Sequence, residues 1–165
     1  MAGADLWRIA RRPYGLDRLG TGARESGSRW NNPGTGVIYA SRSIALAALE
    51  KFVHLAGIIP GDLVLVRLEL PDSCSAEEPR LTNLPRDWNR IPAGPASAAF
   101  GTSWAAANRS LVLYIPSVLV PEEKIAVLNP NHPEFASVKM SVERDFHYDP
   151  RMFLPKRLAR RKAQA

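Results

Sequence analysis

Residues 11–36 constrain this chain more than any other segment. They read as one long loop, rich in glycine, arginine and turn formers, between two short strands, Leu6-Trp7-Arg8-Ile9 and Val37-Ile38-Tyr39-Ala40. A loop of that length inside a compact domain is functional or disordered. The interleaving of Trp30 with Arg24 and Arg29 favours function. Asn31-Asn32-Pro33-Gly34 marks a turn within it, because proline presets φ while glycine and asparagine tolerate positive φ.

The second strand feeds a helix that Ser41 or Ser43 can cap. Ala45, Ala48, Leu49, Phe52, Val53 and Ala56 recur at helical spacing, which predicts a buried stripe. Glu50 follows Leu49 by about 100° around the axis, so it is expected at the margin of that stripe, half-buried and directed along a groove. Val64, Val66, Leu68 and Leu70 on one side, with Arg67 and Glu69 on the other, predict a strand over 62–70. Residues 71–95 read as irregular and 96–109 as helical, with Gly101 weakening the pattern. Residues 111–115, 124–128 and 138–146 are further strand candidates. Short strands with two or three helices indicate a single α+β domain, mixed or antiparallel in its sheet, which suits a chain of 165 residues.

Charge argues against a nucleic-acid partner despite a net +6. Six of the 22 basic residues fall in residues 151–165, leaving 16 against 16 acids in residues 1–150. The expectation is a neutral domain over 1–150 and a basic, frayed tail over 151–165. Cys74, the sole cysteine, has no partner at disulfide or metal-ligand spacing. No apolar run reaches membrane length and the start lacks a leader pattern, so a cytoplasmic protein is expected.

Ordered along the chain are Leu6-Trp7-Arg8-Ile9, Gly27-Ser28-Arg29-Trp30-Asn31, Tyr39-Ala40-Ser41, Glu50, Pro116-Ser117, Asn129-Pro130, His132-Pro133 and Asp149-Pro150-Arg151. In that order and spacing the chain resembles the RES-domain proteins, a family named for an arginine, a glutamate and a serine, here Arg29, Glu50 and Ser117. The resemblance implies a toxin of a bacterial toxin–antitoxin pair, an Xre-like antitoxin as partner, and an ADP-ribosyltransferase-like fold. It further implies NAD⁺ as substrate, with no metal. The ADP-ribose acceptor would be water, phosphate or a protein, for example an enzyme of phosphoribosyl pyrophosphate synthesis.

The residue types fit that chemistry. Breaking the nicotinamide–ribose bond passes through an oxocarbenium-like transition state, as in glycoside hydrolysis. Nicotinamide leaves neutral, so one carboxylate suffices; Glu50 is the candidate, stabilising the charge that develops on the sugar. Arg29 is the first candidate for the pyrophosphate, with Arg8 and Arg24 as seconds, because a guanidinium fork spans two oxygens. Tyr39 either stacks on nicotinamide or fills the core. Trp30 either contacts the ligand or braces the loop. Ser117 lacks the histidine and acid of a nucleophilic serine and reads as a hydrogen-bonding group for ligand or for Glu50. His54 is one turn from Glu50, His132 is a loop-locking residue, and His147 belongs to no motif. An RNase-like toxin and a non-enzymatic interaction module are the alternatives.

Overall fold

A sheet that opens down its middle organises the molecule. The computed structural model describes residues 4–153, so the expected tail beyond Phe153 lies outside the described residues. Seven strands form one sheet in the order β4-β5-β6-β2-β1-β3-β7. They are β1 (Asp5–Arg11), β2 (Ile38–Ser41), β3 (Leu63–Glu69), β4 (Ala76–Glu77), β5 (Val112–Pro116), β6 (Lys124–Leu128) and β7 (Lys139–Asp145). Three α-helices accompany them, α1 (Thr21–Ser26), α2 (Ile44–Val53) and α3 (Pro95–Ala107). The pairs are antiparallel except β4 with β5. This is the expected α+β architecture, with the mixed sheet contributed by one two-residue strand.

The ladder is continuous on both flanks and nearly absent between β1 and β2. All seven residues of β1 pair with β3, and all four of β2 pair with β6. Between β1 and β2 only Trp7 and Ser41 are in register. Beyond that point the two strands splay, and residues 12–36 bridge the gap from the end of β1 to the start of β2.

Alternation decides which side chains reach which core. Leu6, Ile38, Ala40, Val64, Val66, Leu68, Tyr114 and Leu128 pack on one face with Phe135 and Val138. The opposite face carries two clusters, one built on Trp30, Trp104, Leu113, Ile115 and Val127, the other on Ile9, Ala47, Leu63, Leu65 and Tyr148.

Helix α2 begins as expected, with the Ser43 side chain accepting from the Leu46 amide at 3.1 Å. Its buried face differs from the expected stripe. Leu46 and Ala47 are buried, whereas Ala45 and Val53 are exposed and the helix stops before Ala56. The inward side is therefore rotated toward Ala47, and Glu50, three residues after Ala47 and four after Leu46, lies on it instead of at its margin.

The expected loop over 11–36 is also more structured than its composition suggests. It contains a 3-10 turn at Arg12–Tyr14 and helix α1, which starts after Gly20 at φ +64°. In α3, Gly101 strengthens the fold: a Cβ there would collide with the Trp30 carbonyl oxygen, so only glycine lets the helix seat against the loop.

Candidate active site

The splayed strands open onto a cleft of about 820 Å3, within the usual range of ligand sites. Helix α2 sends Glu50 into it, β1 contributes Arg8, the loop contributes Arg29, and β2 contributes Tyr39. Trp30 lines it too, so five of the expected residues share one hollow.

Glu50 is held by Ser117. The serine side chain is fully buried, and its Oγ donates to Glu50 Oε1 at 2.7 Å. The same Oγ accepts the amides of Leu119 at 3.0 Å and Val120 at 3.1 Å. With its lone pairs engaged by two N–H groups, the hydroxyl proton points to the carboxylate. Of the two readings of Ser117, partner of Glu50 is the observed one. Glu50 Oε2 has no hydrogen bond among the described residues, so one oxygen is anchored and the other is available.

Arg29 is half-buried. Its Nη1 donates to the carbonyls of Trp88 at 2.9 Å and Arg90 at 2.8 Å. Its remaining N–H groups have no acceptor among the described residues. Burial lowers its pKa, while the charge of Glu50 opposes that shift. The guanidinium thus ties residues 88–90 to the cleft while keeping donors in reserve.

Tyr39 serves as a brace through its hydroxyl. It donates to Asn31 Oδ1 at 2.7 Å and accepts the Trp30 amide at 3.2 Å. Burial pushes its pKa well above the ordinary tyrosine value. Asn31, itself buried, donates onward to the carbonyls of Ala23 at 2.7 Å and Thr35 at 3.0 Å. The turn signal at 31–34 thus contains the hub that shapes the arginine-bearing loop.

Of the two remaining candidates, Trp30 is fully buried, meets Phe100 edge-on at 6.1 Å between ring centroids and also lines the cleft, so it braces the loop where the loop borders the hollow. Arg24 folds back onto its own loop, donating to the Leu19 carbonyl at 3.4 Å and packing beside Gly36, away from the cleft lining.

Arg8 keeps its expected place and gains a companion that the sequence did not single out. Its side chain makes no hydrogen bond or ion pair among the described residues, and burial lowers its pKa. Lys51, next to Glu50 on α2, also lines the cleft without a hydrogen-bond partner among those residues. Its pKa is lowered by burial and then by the charges of Arg8 and Arg11. The nearby acids are committed elsewhere: Asp62 to Arg11 at 3.0 Å and Asp17 to the Leu19 and Thr21 amides at 2.9 and 2.6 Å. Asp17 and Asp62 act on Arg8 and Lys51 through their charge but form no ion pair with either, so both cations keep their donors for an anion. A lysine following a helical glutamate carries no sequence signal for such a role.

The histidines are scattered. His54 is an exposed residue at the C-terminus of α2 and lines the cleft; His132 Nδ1 accepts the Glu134 amide at 3.3 Å, as a loop lock; His147 is exposed.

The chain belongs to the RES-domain family, whose model matches residues 5–149. It is 45% identical over 153 residues to the Prs ADP-ribosylating toxin of Sphingobium sp. (strain YBL2), a match covering 89% of this chain and 95% of that one. It is 36% identical over 151 residues to Toxin Res of Yersinia enterocolitica, covering 89% and 98% of the two chains. Its fold is similar to that of a chain in the crystal structure of the M. tuberculosis MbcT–MbcA toxin–antitoxin complex. The TM-score there is 0.65 at 15% identity, with 92% of this chain and 87% of that chain covered.

Proposed function

We propose that this RES-domain toxin cleaves the nicotinamide–ribose bond of NAD⁺ and transfers the ADP-ribosyl group, with Glu50 as the catalytic carboxylate. The observation that carries the reading is the Ser117–Glu50 hydrogen bond of 2.7 Å at the edge of a cleft lined by Arg8, Arg29 and Tyr39. A carboxylate fixed by one oxygen presents the other to the ribose hydroxyls without reorganising as charge develops. Arg29, Arg8 and Lys51 supply the positive field for the pyrophosphate. The ring of Tyr39 supplies a flat wall on which the cationic nicotinamide can rest.

As the anomeric C–N bond breaks, its electron pair leaves with neutral nicotinamide. A nucleophile's lone pair closes on the anomeric carbon from the opposite face, and Glu50 takes the nucleophile's proton. Among acceptors, a protein is favoured by the relative named an ADP-ribosylating toxin, and an enzyme of phosphoribosyl pyrophosphate synthesis is the first to try. An Xre-like antitoxin is the expected partner, in line with the toxin–antitoxin complex that shares the fold. We take residues 1–150 as the catalytic unit, 151–165 as a basic extension, and the cytoplasm as its compartment.

The test is incubation of the pure protein with NAD⁺, supplying water, phosphate and cell lysate in turn, with products identified by mass spectrometry. Nicotinamide with ADP-ribose, its 1″-phosphate or a modified protein supports the reading. Intact NAD⁺ under all three conditions overturns it.

A further inference from the structure

Three apolar side chains line the cleft and are yet exposed: Tyr14 at 55%, Ile91 at 79% and Leu119 at 37%. They come from three separate stretches of chain and all line the same cleft. Single exposed apolar residues need no explanation, but three exposed on the lining of one cleft point to a macromolecule. Neither a dinucleotide held by cations nor water as the acceptor has use for such a rim.

Two of these stretches are wired to the polar residues inside. Arg29 Nη1 grips the carbonyls of Trp88 and Arg90, fixing the backbone that presents Ile91. Ser117 Oγ joins the Leu119 amide to the Glu50 carboxylate. A body resting on Ile91 and Leu119 is thereby held in register with Arg29 and Glu50. Arg90, next to Ile91 in the chain, and Arg86 in the same segment are exposed and make no side-chain hydrogen bond or ion pair among the described residues. The rim therefore offers apolar contact bordered by free positive charge.

Building on the transfer reading above, we propose that Tyr14, Ile91 and Leu119 form the docking rim for a protein acceptor of ADP-ribose. Its complementary surface would carry an apolar patch flanked by carboxylates that meet Arg86 and Arg90. A folded protein cannot enter a cleft of about 820 Å3, so only its reactive side chain does, and the remaining contact falls on the rim. That side chain's lone pair forms the new bond to the anomeric carbon while nicotinamide leaves with the old bonding pair, and its proton passes to Glu50. An apolar anchor with a charged border is the usual economy of a protein contact surface.

The experiment compares the unaltered protein with Ile91→Ser/Leu119→Ser and with Arg86→Gln/Arg90→Gln. Each receives labelled NAD⁺, with and without a purified phosphoribosyl pyrophosphate-synthesising enzyme as acceptor. Nicotinamide release in the absence of acceptor is expected to stay within about twofold, the usual reach of surface substitutions. Label transfer to the acceptor is expected to fall at least about tenfold in both variants, as for loss of an interface anchor. The proposal is overturned if transfer survives in both variants, or if release and transfer decline together. Loss of inhibition by a purified antitoxin, with transfer intact, would also overturn it by assigning the rim to that partner. No nicotinamide release from the unaltered protein would remove the transfer reading itself, an outcome visible before any variant is compared.

Discussion

Ser117 Oγ donates to Glu50 Oε1 across 2.7 Å while accepting two backbone amides, so one hydroxyl sets both the carboxylate's orientation and the turn after β5. Ser117→Ala removes the donor and leaves two amide groups without their acceptor. Turnover is expected to fall about tenfold with little change in KM, the signature of a lost transition-state contact. Stability is expected to drop by about 1–3 kcal/mol, the cost of unsatisfied buried polar groups. Steady-state kinetics alongside urea denaturation checks both, and Ser117→Thr, which keeps the hydroxyl, should recover part of the turnover.

Glu50→Gln keeps an oxygen for Ser117 and discards the charge. Turnover is expected to fall by about 10²-fold or more, the scale seen on removing one preorganised stabiliser of transition-state charge. Unchanged nicotinamide release from a folded Glu50→Gln protein would take this residue out of the chemistry.

Lys51→Met deletes one of the two cleft cations that form no ion pair and keeps the alkyl stem. An expected rise of about tenfold in KM for NAD⁺, with kcat nearly preserved, would mark uniform binding of a phosphoryl group. The salt dependence of KM should weaken in the variant, which a titration with sodium chloride measures.

Gly101→Ala forces a methyl group into the Trp30 carbonyl. Overpacking of this sort costs about 1–3 kcal/mol, and the cost falls on the seam between α3 and the arginine-bearing loop. Thermal unfolding should show a lowered Tm, and NAD⁺ affinity should weaken because Arg29 rides on that loop.

Tyr148 donates to the Ala48 carbonyl at 2.5 Å, and burial pushes its pKa up to about 12. A group that binds its proton more tightly when folded stabilises the fold fully below its unfolded pKa, near 10 for tyrosine. That stability is lost as pH climbs toward the folded value, because the unfolded chain then releases the proton first. Urea denaturation between pH 9 and 11 should show a falling midpoint, with a shallower fall in Tyr148→Phe.

Periodicity carried the fold further than it carried the site. The alternation of Val64, Val66, Leu68 and Leu70 was legible because Arg67 and Glu69 mark the other face in the second half of β3, although Leu63 and Leu65 leave its first half buried on both faces. The stripe on α2 was misphased because alanines dominate it, and alanine suits either side of a helix; the sheet, through Leu46 and Ala47, decided the rotation. Glu50 could be picked out as a candidate, but its contact with Ser117 bridges 67 residues of sequence and exists only once β5 and β6 are laid beside β2. Arg29's grip on residues 88–90 was hidden for a related reason. That segment has no periodic pattern, and its carbonyls become acceptors only when the irregular region folds over the cleft. That Trp30 and Arg24 hold the loop was not legible either, since the sequence cannot say which side chains of a polar loop turn inward.

The lone rung between Trp7 and Ser41 has a mechanical consequence. Arg8 and Tyr39 stand on separate half-sheets, and helix α2, which packs on both β1 and β2, spans the seam between them. A substitution that loosens α2 is therefore felt on both walls of the cleft at once.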